Sequence, residues 1–206
     1  MSRKAHWEQV WTTKASTEVS WYQPDPTTAL ALLREVGTTA TTQILDVGGG
    51  DSRLVDAVLA QGLGRMTVLD ISGAALARAR ARLGAAADAV TWLEADVTAV
   101  HLAPASVDIW HDRAVFHFLT DPADRARYAA TATAAIRPGG TILISTFALD
   151  GPTKCSGLEV ERYAPEGIAA AMGEAFALVR GFSETHRTPA DREQRFSVAM
   201  LRRRVT

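Results

Sequence analysis

From position 43 onward the chain alternates two hydrophobic periods. Short apolar runs at 43–47 (QILDV), 66–69 (MTVL), 90–93 (VTWL), 107–110 (VDIW) and 141–147 (TILISTF) read as buried strands. Between them, apolar residues recur at helical spacing. Leu54, Val55, Val58 and Leu59 share one face, with Ser52 as the expected N-cap and Gly62 as the stop. Ser72 is placed to cap a helix running to about Leu83, just before Gly84. Asp121-Pro122 opens a third helix, which Pro138-Gly139-Gly140 is expected to end before the fifth strand begins. A further helix is expected over 165–172. Strands separated by helices imply a parallel sheet with right-handed crossovers. The last two strand-like runs, 176–182 and 194–201, have no helix between them and should pair as a hairpin. The expectation is an α/β fold: a seven-stranded, mostly parallel sheet with helices on both faces and a C-terminal antiparallel hairpin.

Composition narrows what such a fold would do. With 206 residues, one domain is expected. Its parts are an aromatic N-terminal segment over 1–26, a core over 42–148, and a loop and hairpin over 149–206. Lys and Arg number 22 against 23 Asp and Glu, a balance that argues against a nucleic-acid partner. Cys155 is the single cysteine, which excludes internal disulfides and fits a reducing, cytoplasmic compartment. The opening MSRKAHWEQVWTTK has no apolar signal core, and no apolar run reaches membrane-spanning length. The five histidines and one cysteine lack ligand spacing, so no metal is expected. Nothing in the chain sets its oligomeric state.

The chemistry concentrates where the first strand runs into ILDVGGG (44–50). A strand ending in glycines before a helix lets a ligand approach the backbone near helical N–H groups. Asp70, at the end of the second strand, is placed to accept hydrogen bonds from both hydroxyls of a ribose. These two features would also suit a dinucleotide, but three details disfavour one. Arg53 stands where the dinucleotide fingerprint wants a third glycine. Asp46 would repel a pyrophosphate, yet suits a ligand carrying an ammonium and a sulfonium. Asp96, after the third strand, is placed to accept an adenine amino group.

Taken in order, LDVGGG (45–50), VLDIS (68–72), ADV (95–97), VDIWHDR (107–113) and IRPGGTILIST (136–146) resemble the class I S-adenosylmethionine-dependent methyltransferases. The resemblance covers about residues 42 to 148 and implies a Rossmann-like fold. It also implies S-adenosyl-L-methionine as cofactor and S-adenosyl-L-homocysteine as product. Gly48 and Gly50 would pass beneath the methionine part, Asp70 would hold the ribose, and Ile71 would pack on adenine. Asp96 and Val97 would face the adenine edge. The chain departs from the family pattern at Ser52, where a further glycine often sits. HWEQVWTTK…EVSWYQPDP and IWHDRAVFHFL resemble thiopurine and thiol-type methyltransferases, which implies that Trp11, Trp21 and Arg113 line the cofactor. GGGDSRL with a preceding SWY is also similar to lysine-specific methyltransferases of the elongation-factor and citrate-synthase type.

The other candidates each carry a plainer reading. Trp7 and Trp11, four apart, share a helix face that serves either as a docking face or as a lid. His111 and Asp112 end the fourth strand, where a parallel sheet places its ligands, and are the candidate catalytic residues. Otherwise Asp112 and Arg113 form a local ion pair and cap. His117 reads as a packed helix residue, Cys155 as an incidental loop thiol, and His186 as solvated. The acceptor is expected to be a small molecule, with sulfur the leading methylated atom and protein lysine the runner-up. A nicotinamide-dependent reductase and a silent S-adenosylmethionine-binding protein are the rival classes.

Overall fold

A computed structural model describes residues 1–205. In chain order it contains α1 (Arg3–Thr13), α2 (Thr27–Glu35), β1 (Gln43–Val47), α3 (Leu54–Gln61), β2 (Arg65–Asp70), α4 (Gly73–Leu83), β3 (Thr91–Glu94) and β4 (Val107–Arg113). Then follow α5 (Pro122–Ala135), β5 (Ile136–Phe147), the short pair β6 (Lys154–Cys155) and β7 (Leu158–Glu159), α6 (Pro165–Met172), β8 (Phe176–Arg187) and β9 (Glu193–Arg203). The seven-stranded sheet has the order β3-β2-β1-β4-β5-β9-β8. Strands β1 to β5 run parallel, while β9 pairs antiparallel with β5 and with β8. Among the described residues no helix is long and apolar enough to cross a membrane.

Local signals set most boundaries. The Ser72 hydroxyl accepts from Ala75 N–H, the Asp121 carboxylate accepts from Ala123 N–H, and Gly62 closes α3 in the left-handed region (φ 62°). Ser52 caps one position early: its hydroxyl accepts from Leu54 N–H at 3.1 Å, while Arg53 occupies the cap itself. Helix α2, which the sequence reading did not include, buries Ala29, Leu30, Leu32 and Leu33 against the sheet.

Three boundaries differ from expectation for a tertiary reason. β4 runs on past Asp112 to Arg113, because β5 flanks it and pairs Ser145 with that residue. The hairpin strands likewise extend past their apolar parts, pairing as far as Arg187 with Glu193. The Pro138-Gly139-Gly140 stretch does not end α5. Ile136 is already extended (ψ 133°), because it pairs with Val107 of β4. Val107 pairs with Ile136 and Ile109 with Thr141, so the stretch becomes a bulge inside β5.

The sheet separates two cores. On one face α5 and α6 cover Trp110, Ile142 and Ile144 with Tyr128, Ala132 and Ile168. On the other, α2, α3 and α4 cover Ile44, Val68, Ile109 and Leu143 with Leu33, Val58 and Leu76. After β1 the chain winds toward β3, and after β4 it winds the opposite way. A crevice therefore opens at the C-terminal ends of β1 and β4, the switch point where such sheets bind ligands.

Candidate functional site

The crevice begins at the glycine loop. Gly48 has φ +63°, and a Cβ built there would overlap the Val115 side chain, so only glycine fits. A Cβ on Gly50 would lie 2.7 Å from Asp70 Oδ2. Gly50 does not line the crevice; its missing side chain makes room for that carboxylate. Behind the loop, Arg82 of α4 pairs with Asp51 and Asp56 and donates to Ser52 O at 2.7 Å. The loop is thereby tied to the next helix.

Asp70 Oδ1 accepts from Ser72 N–H at 2.8 Å. Burial raises its pKa to about 7, with the Asp46 and Glu8 carboxylates adding to the rise and backbone donors opposing it. Ile71 and Val97 line the same crevice. Asp96 is more occupied than expected. Its Oδ1 accepts from Thr98 N–H at 2.9 Å and from the Thr98 hydroxyl at 2.7 Å, and its Oδ2 accepts from Arg3 at 2.9 Å. An adenine amino group would have to share Oδ2 with that guanidinium.

At the end of β4 the pleat sends neighbours to opposite faces. His111 stands beside Asp46 in the parallel register, and its Nδ1 lies 2.7 Å from Asp46 Oδ1. Asp46 Oδ2 is buried without a hydrogen-bond partner. Asp112 faces the α5 core instead and is 0 % exposed. Its carboxylate accepts from Tyr128 OH at 2.6 Å and from Val115 and Phe116 N–H, while Tyr128 OH accepts from Trp110 Nε1–H at 2.8 Å. Burial raises the Asp112 pKa to about 6, and these donors oppose the rise. The expected catalytic role of Asp112 is therefore corrected: its oxygens are committed to fixing the 113–116 loop. Nor is it the expected ion partner of Arg113.

An aromatic roof lies over one end of the crevice. Trp7 meets Trp21 edge-on at 5.9 Å and Phe118 at 5.0 Å, and Trp11 meets Trp21 at 6.0 Å. Glu8 fastens α1 to the start of α4 by accepting from Gly73 N–H at 2.7 Å and Ala74 N–H at 3.3 Å, a carboxylate at a helix N-terminus. Arg3 also pairs with Asp124, and Lys4 with Glu94. One cavity runs from Asp70, Ile71, Asp96 and Val97 to Trp7, Trp11, Trp21, Arg113, Phe118 and Cys155. An adjoining one is bordered by Asp46, Gly48, His111, Arg113, Trp11 and Trp21. His111 thus borders the second cavity and not the aromatic end of the first.

Sequence reading missed Arg3, Glu8 and Phe118 here. Only the polar-aromatic character of the opening segment hinted at the first two. Cys155 is no incidental loop thiol: it is buried in β6, at the cavity wall, and burial pushes its pKa up to about 11. His186 is not solvated either. It is buried in β8, with Nε2 2.7 Å from Ser20 O, and burial lowers its pKa. His117 is packed as expected, accepting from Phe147 N–H, and burial pushes its pKa down to about 3. Among the described residues no three His, Cys, Asp or Glu side chains converge on a metal site.

Comparison with known proteins agrees with this geometry. Residues 44–140 match the sequence model of the methyltransferase domain family. No curated protein matches the chain. Among solved structures, a SAM-dependent methyltransferase from Anabaena variabilis superposes with TM-score 0.77 at 16 % identity, covering 99 % of this chain and 96 % of the other. A protein described for the conversion of a disulfide bond into a thioacetal group during echinomycin biosynthesis gives TM-score 0.76 at 18 % identity, over 98 % and 93 %. The Burkholderia thailandensis 1,6-didemethyltoxoflavin-N1-methyltransferase, with S-adenosylhomocysteine bound, gives 0.67 at 24 %, over 98 % and 84 %. At these identities the superpositions establish the fold, while the family match falls on the strands and loops that build the crevice. The chain thus has the fold of the S-adenosylmethionine-dependent methyltransferases, and its residues 44–140 match the methyltransferase domain family.

Proposed function

We propose that the protein methylates a small molecule, with sulfur as the acceptor atom. The crevice residues fit the cofactor. Gly48 leaves a cradle that a side chain would fill, Asp70 offers a carboxylate to ribose hydroxyls, and Asp46 Oδ2 lacks a donor that an ammonium would supply. In this reading Ile71 and Val97 flank the adenine, Asp96 meets its edge, and Trp11, Trp21 and Arg113 border the remainder. When bound, the cofactor supplies a methyl group on a positive sulfur, which keeps the bond's electron pair as the acceptor displaces it.

The chain's own contribution is placement and exclusion of water. Holding nucleophile and methyl group in line is worth up to roughly 7–11 kcal/mol. The observation that carries the choice of sulfur is the roofed aromatic end of the cavity. Trp7, Trp21, Phe118 and Leu119 line it, and its one weak acid, Cys155, keeps its proton with a pKa near 11. That end holds no general base. A thiol, with a pKa near 8.5, has already lost part of its protons to solvent at neutral pH and needs none. The roof also supports a small acceptor over a protein lysine, because Trp7 and Trp11 of α1 lie against the aromatic end of the cavity and narrow the approach to it. Turnover with labelled cofactor, against panels of thiols, phenols and amines and against cell lysate, tests this. Labelled thioether is the expected product; label confined to a protein band would overturn it.

A further inference from the structure

Among the described residues, Arg113 is the buried cation whose placement neither the fold nor the cofactor's adenosine explains. It stands at the end of β4 and borders both cavities and the polar recess beneath α2, where Glu184 and Ser145 also lie. Its guanidinium lies over the Phe196 ring, 4.8 Å from the centroid. Nη1 donates to Trp21 O at 2.9 Å. Nε and Nη2 are buried and donate to nothing, and the Ser145 hydroxyl beside them is buried and unpartnered as well.

Nε–H and Nη2–H form one edge of the planar guanidinium, the side-on fork that matches the two oxygens of a carboxylate. An unpaired buried donor has lost its water and gained nothing, so two on one cation are a standing cost to the free protein. Burial lowers the Arg113 pKa to about 10, in the same sense, with Glu184 and Cys155 opposing it. Across the second cavity lies Asp46 Oδ2, the unpartnered acceptor of opposite sign.

Resting on the methyltransferase reading, the geometry points to Arg113 as a carboxylate-binding residue, its Nε/Nη2 fork gripping the carboxylate of a ligand in the crevice. The cofactor's methionyl end and a carboxylate-bearing acceptor present the same chemistry. Trp21, which holds Nη1 from above, belongs to the N-terminal segment, so the roof and the fork close on the ligand together.

Calorimetry on the intact protein, Arg113→Lys and Arg113→Met separates the sources. The probes are S-adenosylhomocysteine, 5′-methylthioadenosine (which lacks the amino-acid end), and benzoate against benzamide added to the S-adenosylhomocysteine complex. If the fork serves the cofactor, both variants lose at least about tenfold in S-adenosylhomocysteine affinity and keep that for methylthioadenosine. If it serves the acceptor, S-adenosylhomocysteine binds all three equally. Benzoate, but not benzamide, then binds the wild-type complex and neither variant's. Unchanged binding of every probe overturns the fork while leaving the cofactor site standing. Failure of the wild type to bind either nucleoside removes the methyltransferase reading and the fork with it. Arg113→Met should melt no lower than wild type, because it removes an unsatisfied cation. Should it not fold, Arg113→Lys, which keeps the charge and breaks the fork, carries the test.

Discussion

Lowering the pH through 7 should weaken cofactor binding and, at the same time, relieve a strain on the free protein, both through Asp70. Its folded pKa is raised to about 7 from the ordinary carboxyl value of 3.8. Between those two values the unfolded chain is ionised while the folded one is protonated. This group's cost to stability is therefore full above pH 7 and fades as the pH falls toward 4. Ligand binding runs the other way. Ribose hydroxyls donate to the carboxylate and favour its ionised form, so the complex takes up the ligand with a proton released below pH 7. If only the ionised form binds well, each pH unit below 7 costs about tenfold, or about 1.4 kcal/mol. Calorimetry with S-adenosylhomocysteine at pH 8, 7 and 6, repeated in buffers of different ionisation enthalpy, reads both the affinity and the proton released. Asp70→Asn should bind more weakly at pH 8 and lose the slope. An affinity that stays level from pH 8 to pH 6 in the wild type, or a slope that survives in Asp70→Asn, refutes the reasoning.

Tyr128→Phe leaves Asp112 Oδ2 and Trp110 Nε1–H without the hydroxyl between them, and should cost about 2–4 kcal/mol in chemical denaturation. A loss under about 0.5 kcal/mol would mean that the network is not holding the loop. Gly48→Ala must overlap Val115 at a left-handed φ; thermal shift should show S-adenosylhomocysteine binding lost from a folded protein. His111→Asn removes the Asp46 contact from outside the aromatic end, so thiol methylation should show a raised cofactor KM with an unchanged pH profile of kcat. A new ionisation in kcat would restore His111 as a base. If α1 is a lid, adding S-adenosylhomocysteine slows proteolysis over 12–17, and Glu8→Ala, which frees two α4 N–H groups, hastens it. Equal cleavage with and without ligand counts against a lid.

Much of this molecule was legible locally. The strand of 43–47, the caps at Ser72 and Asp121, and the stop at Gly62 depend on side chains within a few residues of the backbone they satisfy, so the sequence alone locates them. The same holds for the crevice in outline: a glycine loop after one strand and Asp70 after the next follow from the alternation of elements. Helix α2 is equally local in origin, with Ala29, Leu30 and Leu33 on one face. What neighbouring residues cannot determine is which distant group a polar side chain meets. Asp46 and His111, 65 residues apart, touch because parallel register sets their strands level. One step along the pleat, Asp112 turns to Tyr128 and is lost to the site. Pairing with β4 converted a Pro-Gly-Gly stop into a bulge, and packing of the N-terminal segment buried Cys155 and His186. It also brought Arg3 and Glu8 to the crevice's rim. Periodicity and capping are short-range and can be read from one segment at a time. Burial and partnership arise only when the segments are packed, and they decide which polar atoms remain free for chemistry.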